Sequence, residues 1–309
     1  MGQTKNITIE QLGKIISPVA KNWLAYALIF PALGWVLLFV IYPVFYSIQI
    51  SFYNMHLLRP VYRFVGLATY QRVLSSKVIS QILKNTLIWV GGGTFATMVI
   101  GVWMGIFLSM NYKVNRFLAA IILIPWILPD VISAGLWKWM FHGELGVINA
   151  VLMQFGILKQ AIPFLGQPST ALFVCMFIIV WRLVPFVALI TLATIQSIPL
   201  QLFEAAEIDG ASGWNKIYYI TLPLLKYPIT IGTVLSLVWT LENFTIIWVT
   251  TKGGPMYFSE IITTYIYKLS FIKYKVSEGA VLGLLGFGLI FIITLIYLKI
   301  FKKFWLEET

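Results

Sequence analysis

Asp130, Arg182, Glu242 and Asn243 lie inside long apolar runs of the sequence. Ionisable and strongly polar groups are costly in hydrocarbon, so each is a functional candidate by default. Ser236, Trp239, Thr240 and Asn243 recur at i, i+3, i+4 and i+7. That spacing puts them on one helix face, with Glu242 on its flank. A sugar asks for directional hydrogen bonds to its hydroxyls and an aromatic ring over its C–H face, and this face offers both. The same groups could instead bond helix to helix, at about 0.6–2 kcal/mol per contact. Arg182 could neutralise an acidic sugar or a phosphate, or pair with a carboxylate or carbonyls. Asp130 has Arg182 and Lys138 as candidate partners.

Other chemistries are excluded. The two histidines, His56 and His142, are isolated, and the one cysteine, Cys175, sits in an apolar run. They make no metal site and no Ser/His/Asp or Cys/His set. There is no H-E-x-x-H and no Gly-rich phosphate loop, so the chain does not hydrolyse ATP by itself.

The chain that positions these residues is 60% hydrophobic and only 11% charged, over 309 residues. Soluble domains carry about 25% charged residues, so the apolar excess calls for a lipid solvent. The formal net charge is +11, but the basic residues flank apolar runs rather than forming a stripe, which argues against nucleic acid. Six spans are expected, at 25–48, 86–110, 117–139, 170–195, 223–250 and 279–301. Each meets the roughly 20 residues that a bilayer requires. Pro31, Pro43, Pro125, Pro129 and Pro185 lie within them, and Gly101, Gly105, Gly279, Gly283 and Gly286 permit close helix contact. Residues 49–81 and 140–168 form the longer hydrophilic connections. Ile9, Leu12, Ile16 and Val19 suggest an interfacial helix before the first span, which does not read as a cleaved signal peptide. The organisation is one domain: an N-terminal segment 1–24, a membrane domain 25–303 and a tail 304–309. Lys and Arg are shared almost evenly between the two sides, so they do not set the orientation.

Between the fourth and fifth spans lies PLQLFEAAEIDGASGWNKIYYITLPLLKYP, residues 199–228. Ser197 is expected to cap a short helix with Pro199 in its first turn. Asp209-Gly210 stops that helix, because glycine takes the left-handed conformation cheaply. Ser212 caps a second helix through Lys216 and Tyr219, and Thr221 with Pro223 opens the next span. The pattern is helix, tight turn, helix: a compact knob suited to docking.

Glu204-Ala205-Ala206, Asp209-Gly210-Ala211 and Ile220-Thr221-Leu222-Pro223 resemble the EAA loop of ABC-importer permeases. Thr251, Gly253, Gly254 and Pro255 resemble the T-x-G-G-P signature of carbohydrate ABC permeases, with Lys252 at the variable position. FVGLATYQRVL resembles the F-x-G-L-x-N-Y segment of sugar permeases, with Thr69 where Asn is usual. The resemblance runs from about residue 25 to 303. It implies an all-α integral membrane protein of the type I ABC importer permease fold, with six transmembrane helices and a cytosolic coupling helix in the loop 196–222. Glu204, Ala205, Ala206, Asp209, Gly210 and Ala211 would couple to the ATPase. Ile217 departs from the usual Phe of that loop, and Tyr218 is the candidate to fill its place. Ser236, Thr240 and Asn243 align with positions that line the sugar site, and Phe186 aligns with an aromatic of that site.

The implied partners are a second homologous permease subunit, two ATPase subunits and an extracytoplasmic sugar-binding protein, all at the lipid bilayer. ATP and Mg would be bound by the ATPase, and no cofactor or metal by this chain. The location implied is the cytoplasmic membrane of a bacterium or archaeon, with both termini cytosolic. An ion-coupled secondary transporter or channel, with Glu242 and Arg182 as a charge relay, is the competing class. A membrane enzyme acting on lipid-linked sugars would need paired carboxylates or a metal site, and the sequence offers neither.

Overall fold

A computed structural model describes residues 22–110 and 114–305. The interfacial helix expected before the first span and the last residues of the tail lie outside that range. The chain is mostly helical. Five helices are long and apolar enough to cross a membrane, and a bent pair brings the number up to six.

Helix α1 (Trp23–Ser51) runs through Pro31 and Pro43 unbroken and is unburied along its apolar window. Among the described residues its packing falls mainly in the stretch Tyr42–Ser51, which lies beside α12 and ends in buried Ser51. The first connection is not wholly irregular. It folds into an antiparallel hairpin, β1 (Tyr53–His56) and β2 (Arg59–Phe64), which an all-helical reading omits. Tyr53 faces Phe64 with ring centroids 5.4 Å apart. Helix α2 (Ala68–Leu74) follows. Helix α3 (Lys77–Ser109) starts well before the expected residue 86. Its first turns are amphipathic, burying Ile79 and Ile82 while Lys77 and Lys84 stay exposed.

The third span is not the single helix expected over 117–139. Helix α4 (Phe117–Ile127) and helix α5 (Asp130–Met140) meet at 98°. Proline is the cause: Leu128 precedes Pro129 and is extended, with ψ 135°. A residue before proline is pushed out of the helical region, and proline itself has no N–H to donate. The bend leaves Asp130 in the first turn of α5, where a carboxylate is favoured by the helix dipole. In the second connection, α6 (Val147–Gln154) is pinned by buried Asn149. Its amide donates to His142 O, Gly143 O and Ile162 O, and accepts from Ile162 N.

Helix α7 (Ala171–Ser197) is the centre of the packing. Ile178, Ile179, Leu183, Val187 and Ala188 are all buried on it. Its closest neighbour is α3, and glycine makes that approach possible. A Cβ on Gly105 would stand 2.5 Å from Thr191 Cβ and 2.6 Å from Ala188 O. Gly101 meets Val187 in the same way. Gly105→Leu is therefore expected to cost more than the 1–3 kcal/mol of ordinary overpacking, because backbone must move. Monodispersity and unfolding temperature of the purified variant check this: a wild-type profile would contradict the packing described.

Helix α8 (Leu200–Ile208) follows α7. Ser197 is not its cap. It is the last residue of α7, and its hydroxyl donates to Thr194 O at 2.7 Å. Beyond α8, helix α9 (Gly213–Lys216) is capped as expected, Ser212 Oγ accepting from Asn215 N. It runs on through a wide π turn (Ile217–Thr221) to Leu224. Thr221 and Pro223 thus sit inside a helical run and open nothing. The Thr221 hydroxyl turns back to Lys216 O at 3.4 Å. Helix α10 (Lys226–Thr250) breaks once, at Asn243. Helix α11 (Ile262–Tyr267) runs on to Ile272, and α12 (Val276–Trp305) closes the fold.

Candidate functional site

The bend between α4 and α5 opens a cavity of about 290 Å³ against α7 and α10. Trp126, Asp130, Arg182, Leu183, Trp239, Glu242 and Asn243 line it. Arg182 projects from near the middle of α7. Its Nε lies 2.6 Å from Asp130 Oδ1 and donates to Leu128 O at 3.3 Å, a carbonyl exposed by the bend. Asn243 Nδ2 donates to Asp130 Oδ2 at 2.8 Å. Asn243 Oδ1 accepts from Ile246 N at 3.1 Å, restarting α10 after its break. One amide thus repairs the helix and holds the carboxylate. Lys138, the other candidate partner of Asp130, instead donates to Val249 O at 2.9 Å.

Phe186 stands behind the aromatic wall. Its ring lies 4.8 Å from that of Trp239, edge-on, and 5.8 Å from that of Trp126. The polar face read from α10 is divided. At about 100° per residue, Glu242, Trp239 and Asn243 fall within one arc, and Ser236 and Thr240 lie beyond it. Accordingly Ser236 and Thr240 are fully buried and do not line the cavity. Thr240 faces α3, where its carbonyl accepts from Trp89 Nε1 at 2.6 Å. Trp126 escapes sequence reasoning, because only the bend turns it inward.

The T-x-G-G-P stretch forms a fixed loop beside α11. Thr251 Oγ1 is 2.7 Å from Ser259 Oγ and accepts from Gly253 N at 3.1 Å. Glu260, fully buried, pairs with Lys268. Asn85 donates to the carbonyls of Tyr257 and Glu260 at 2.8 and 2.9 Å. Gly253 has φ +81°, and a Cβ there would run into the Glu260 carboxylate. Two independent constraints thus call for glycine at this position.

At the other end, α8 and α9 form the expected knob. Asp209 ends α8 and Gly210 has φ +77°. Gly210 N donates to Glu207 O at 3.0 Å and Ala211 N to Ala206 O at 2.8 Å. Those two bonds make a Schellman cap. Lys216 Nζ reaches Glu207 Oε1 at 2.5 Å and ties the two helices together. Glu204, Ala205, Asp209 and Gly210 are exposed, and Ala206 and Ala211 half-buried. Ile208 is 87% exposed, with Leu200, Trp214, Tyr218 and Tyr219 also open. Ile217 points inward against the packing around Val187 and Leu225. An open apolar surface rimmed by charge makes the knob a candidate interaction surface.

Apolar helices, a polar cavity within them and a projecting two-helix knob define the class: a polytopic membrane permease. Residues 97–305 match the family described as binding-protein-dependent transport system inner membrane component, and the chain belongs to it. It is 35% identical over 280 residues to the trehalose/maltose transport system permease protein MalF of Thermococcus litoralis, covering 90% of this chain and 93% of that one. It is 30% identical to the sulfoquinovosyl glycerol transport system permease protein SmoG of Agrobacterium fabrum, covering 90% of each. A solved bacterial ABC transporter that imports the acidic polysaccharide alginate superposes at TM-score 0.82 and 25% identity, over 94% of this chain and 99% of that one.

Proposed function

We propose that this chain is the membrane-spanning subunit of an ATP-driven importer, moving a neutral sugar or oligosaccharide handed to it by an extracytoplasmic binding protein. A second permease subunit completes the pathway, and two ATPase subunits hold ATP and Mg against the α8–α9 knob. That assignment makes the knob cytosolic and puts both termini on the cytosolic side. The permeases of the trehalose/maltose and alginate systems support the sugar class. The observation that carries the neutral reading is the Arg182–Asp130 pair. Among the described residues, Arg182 is the only cationic side chain lining the cavity, and its charge is already met by Asp130. Glu242 remains as an exposed acceptor that would repel an anion and receive sugar hydroxyls.

In this mechanism ATP closes the ATPase dimer and shifts the knob, and the helices turn as a body toward an outward-facing cavity. The binding protein then releases sugar between Trp126, Trp239 and Glu242. ATP drives the change only by binding one state better than the other.

The test is co-purification of the tagged chain with its co-expressed subunits, followed by ATPase assay with sugar-loaded binding protein. Stimulated hydrolysis supports the reading. A chain that purifies with no ATPase, and whose uptake collapses with an ion gradient, would make the secondary-transporter class correct. Trp239→Ala is expected to raise the KM for sugar about tenfold, or about 1.4 kcal/mol, with little change in unstimulated ATPase activity. An unchanged KM would remove Trp239 from the site.

A further inference from the structure

Helix α10 has a second working face. Lys226, Ile229, Thr233 and Leu237 line a groove of about 450 Å³ between α3, α10 and α12. On the helical wheel these residues lie across from Trp239 and Glu242, so the groove opens away from the cavity. Gly91, Thr94 and Phe95 of α3 and Ile293, Tyr297 and Phe301 of α12 also line it. The wall is mostly apolar, and the Thr233 hydroxyl is taken up by Ile229 O at 2.8 Å. From Lys226 to Leu237 the helix rises about 16 Å. That is half of a hydrocarbon core about 30 Å thick, the depth of one leaflet. Lys226 marks the shallow end, beside the knob, with its ammonium 5.4 Å from the Tyr227 ring centroid.

We propose that this groove holds one chain of an anionic phospholipid, with the phosphate at Lys226. A partner helix, about 10 Å across, is too wide for a recess of this volume between three helices. An extended acyl chain fits it, and it ends where chain becomes headgroup. Basic pockets between membrane helices near the cytoplasmic surface bind anionic headgroups for the same electrostatic reason. The inference rests on the proposed function for the side of the membrane on which Lys226 lies, and does not depend on the sugar.

The experiment uses the full chain purified with its accompanying subunits, and phosphatidylglycerol or phosphatidylcholine as probe. Native mass spectrometry reads retained lipid, and thermal unfolding reads stabilisation. One phosphatidylglycerol per chain is expected, raising the unfolding temperature by several degrees, with phosphatidylcholine much weaker. Lys226→Gln should weaken phosphatidylglycerol about tenfold and leave phosphatidylcholine unchanged. Gly91→Leu should displace both lipids, since Gly91 lines the groove and a Cβ there meets nothing within 4 Å. Equal retention of the two lipids, or unchanged binding in Lys226→Gln, overturns the proposal. So does a photo-crosslinker at Phe95 that captures a protein subunit instead of lipid. Transport and ATPase coupling are separate readouts, so failure here leaves the importer reading standing.

Discussion

Gly210→Pro is expected to reduce sugar uptake to background while the chain still inserts in the membrane. Gly210 holds φ +77°, and proline is fixed near −65°. Proline also removes the N–H that donates to Glu207 O at 3.0 Å. The Schellman cap of α8 is lost, and with it the angle between α8 and α9. The membrane helices do not depend on that turn, so expression and unfolding temperature should stay close to wild type. Glu204→Arg reaches the same endpoint by another route, reversing an exposed charge on the proposed docking face. Gly210→Asn is the control, because Asn tolerates the left-handed region. Uptake in vesicles and co-purification of the ATPase are the measurements. Normal transport by both Gly210→Pro and Glu204→Arg would sink the coupling role of the knob.

Asp130→Ala is expected to lower uptake at least tenfold and to destabilise the fold. Removing the carboxylate strands the Arg182 guanidinium near the middle of α7 and deprives Asn243 of its acceptor. A fully buried pair broken on one side costs about 3–5 kcal/mol. Here the two side chains keep 21% and 27% of their exposure, so water screens part of that loss. About 1–3 kcal/mol is the reasonable expectation. The exchange Asp130→Arg with Arg182→Asp should recover part of the stability, because the charges cancel again. A single Asp130→Ala variant with wild-type unfolding temperature and uptake would show that the pair is incidental.

The sequence carried the fold well wherever local chemistry decides. Span positions follow from hydropathy, and the turns at Gly210 and Ser212 from backbone preference and capping. It carried less where tertiary geometry decides. Nothing local distinguishes Pro31, which α1 tolerates, from Pro129, which turns α5 through 98°. The difference is that Arg182 and Asn243 wait beside Pro129 to satisfy the groups that the bend exposes. Ser197 had the right residue type for a cap but belongs to α7, whose helix outruns its hydrophobic pattern. On α10 the polar residues were legible as a face. How that face divides between cavity and helix seam depends on where α3 and α7 stand, which no periodicity reveals.

The bend between α4 and α5 also sets an order of assembly. Each arm has only about 16 Å of helix, half a bilayer, so neither can settle across the membrane alone. Asp130 leaves the ribosome long before Arg182 exists. During synthesis its carboxylate faces lipid or the insertion machinery without a counter-charge. The two arms are therefore expected to settle only once α7 supplies the guanidinium. Only then can the segment partition as a unit. Insertion of this chain is in that sense expected to be cooperative across three segments.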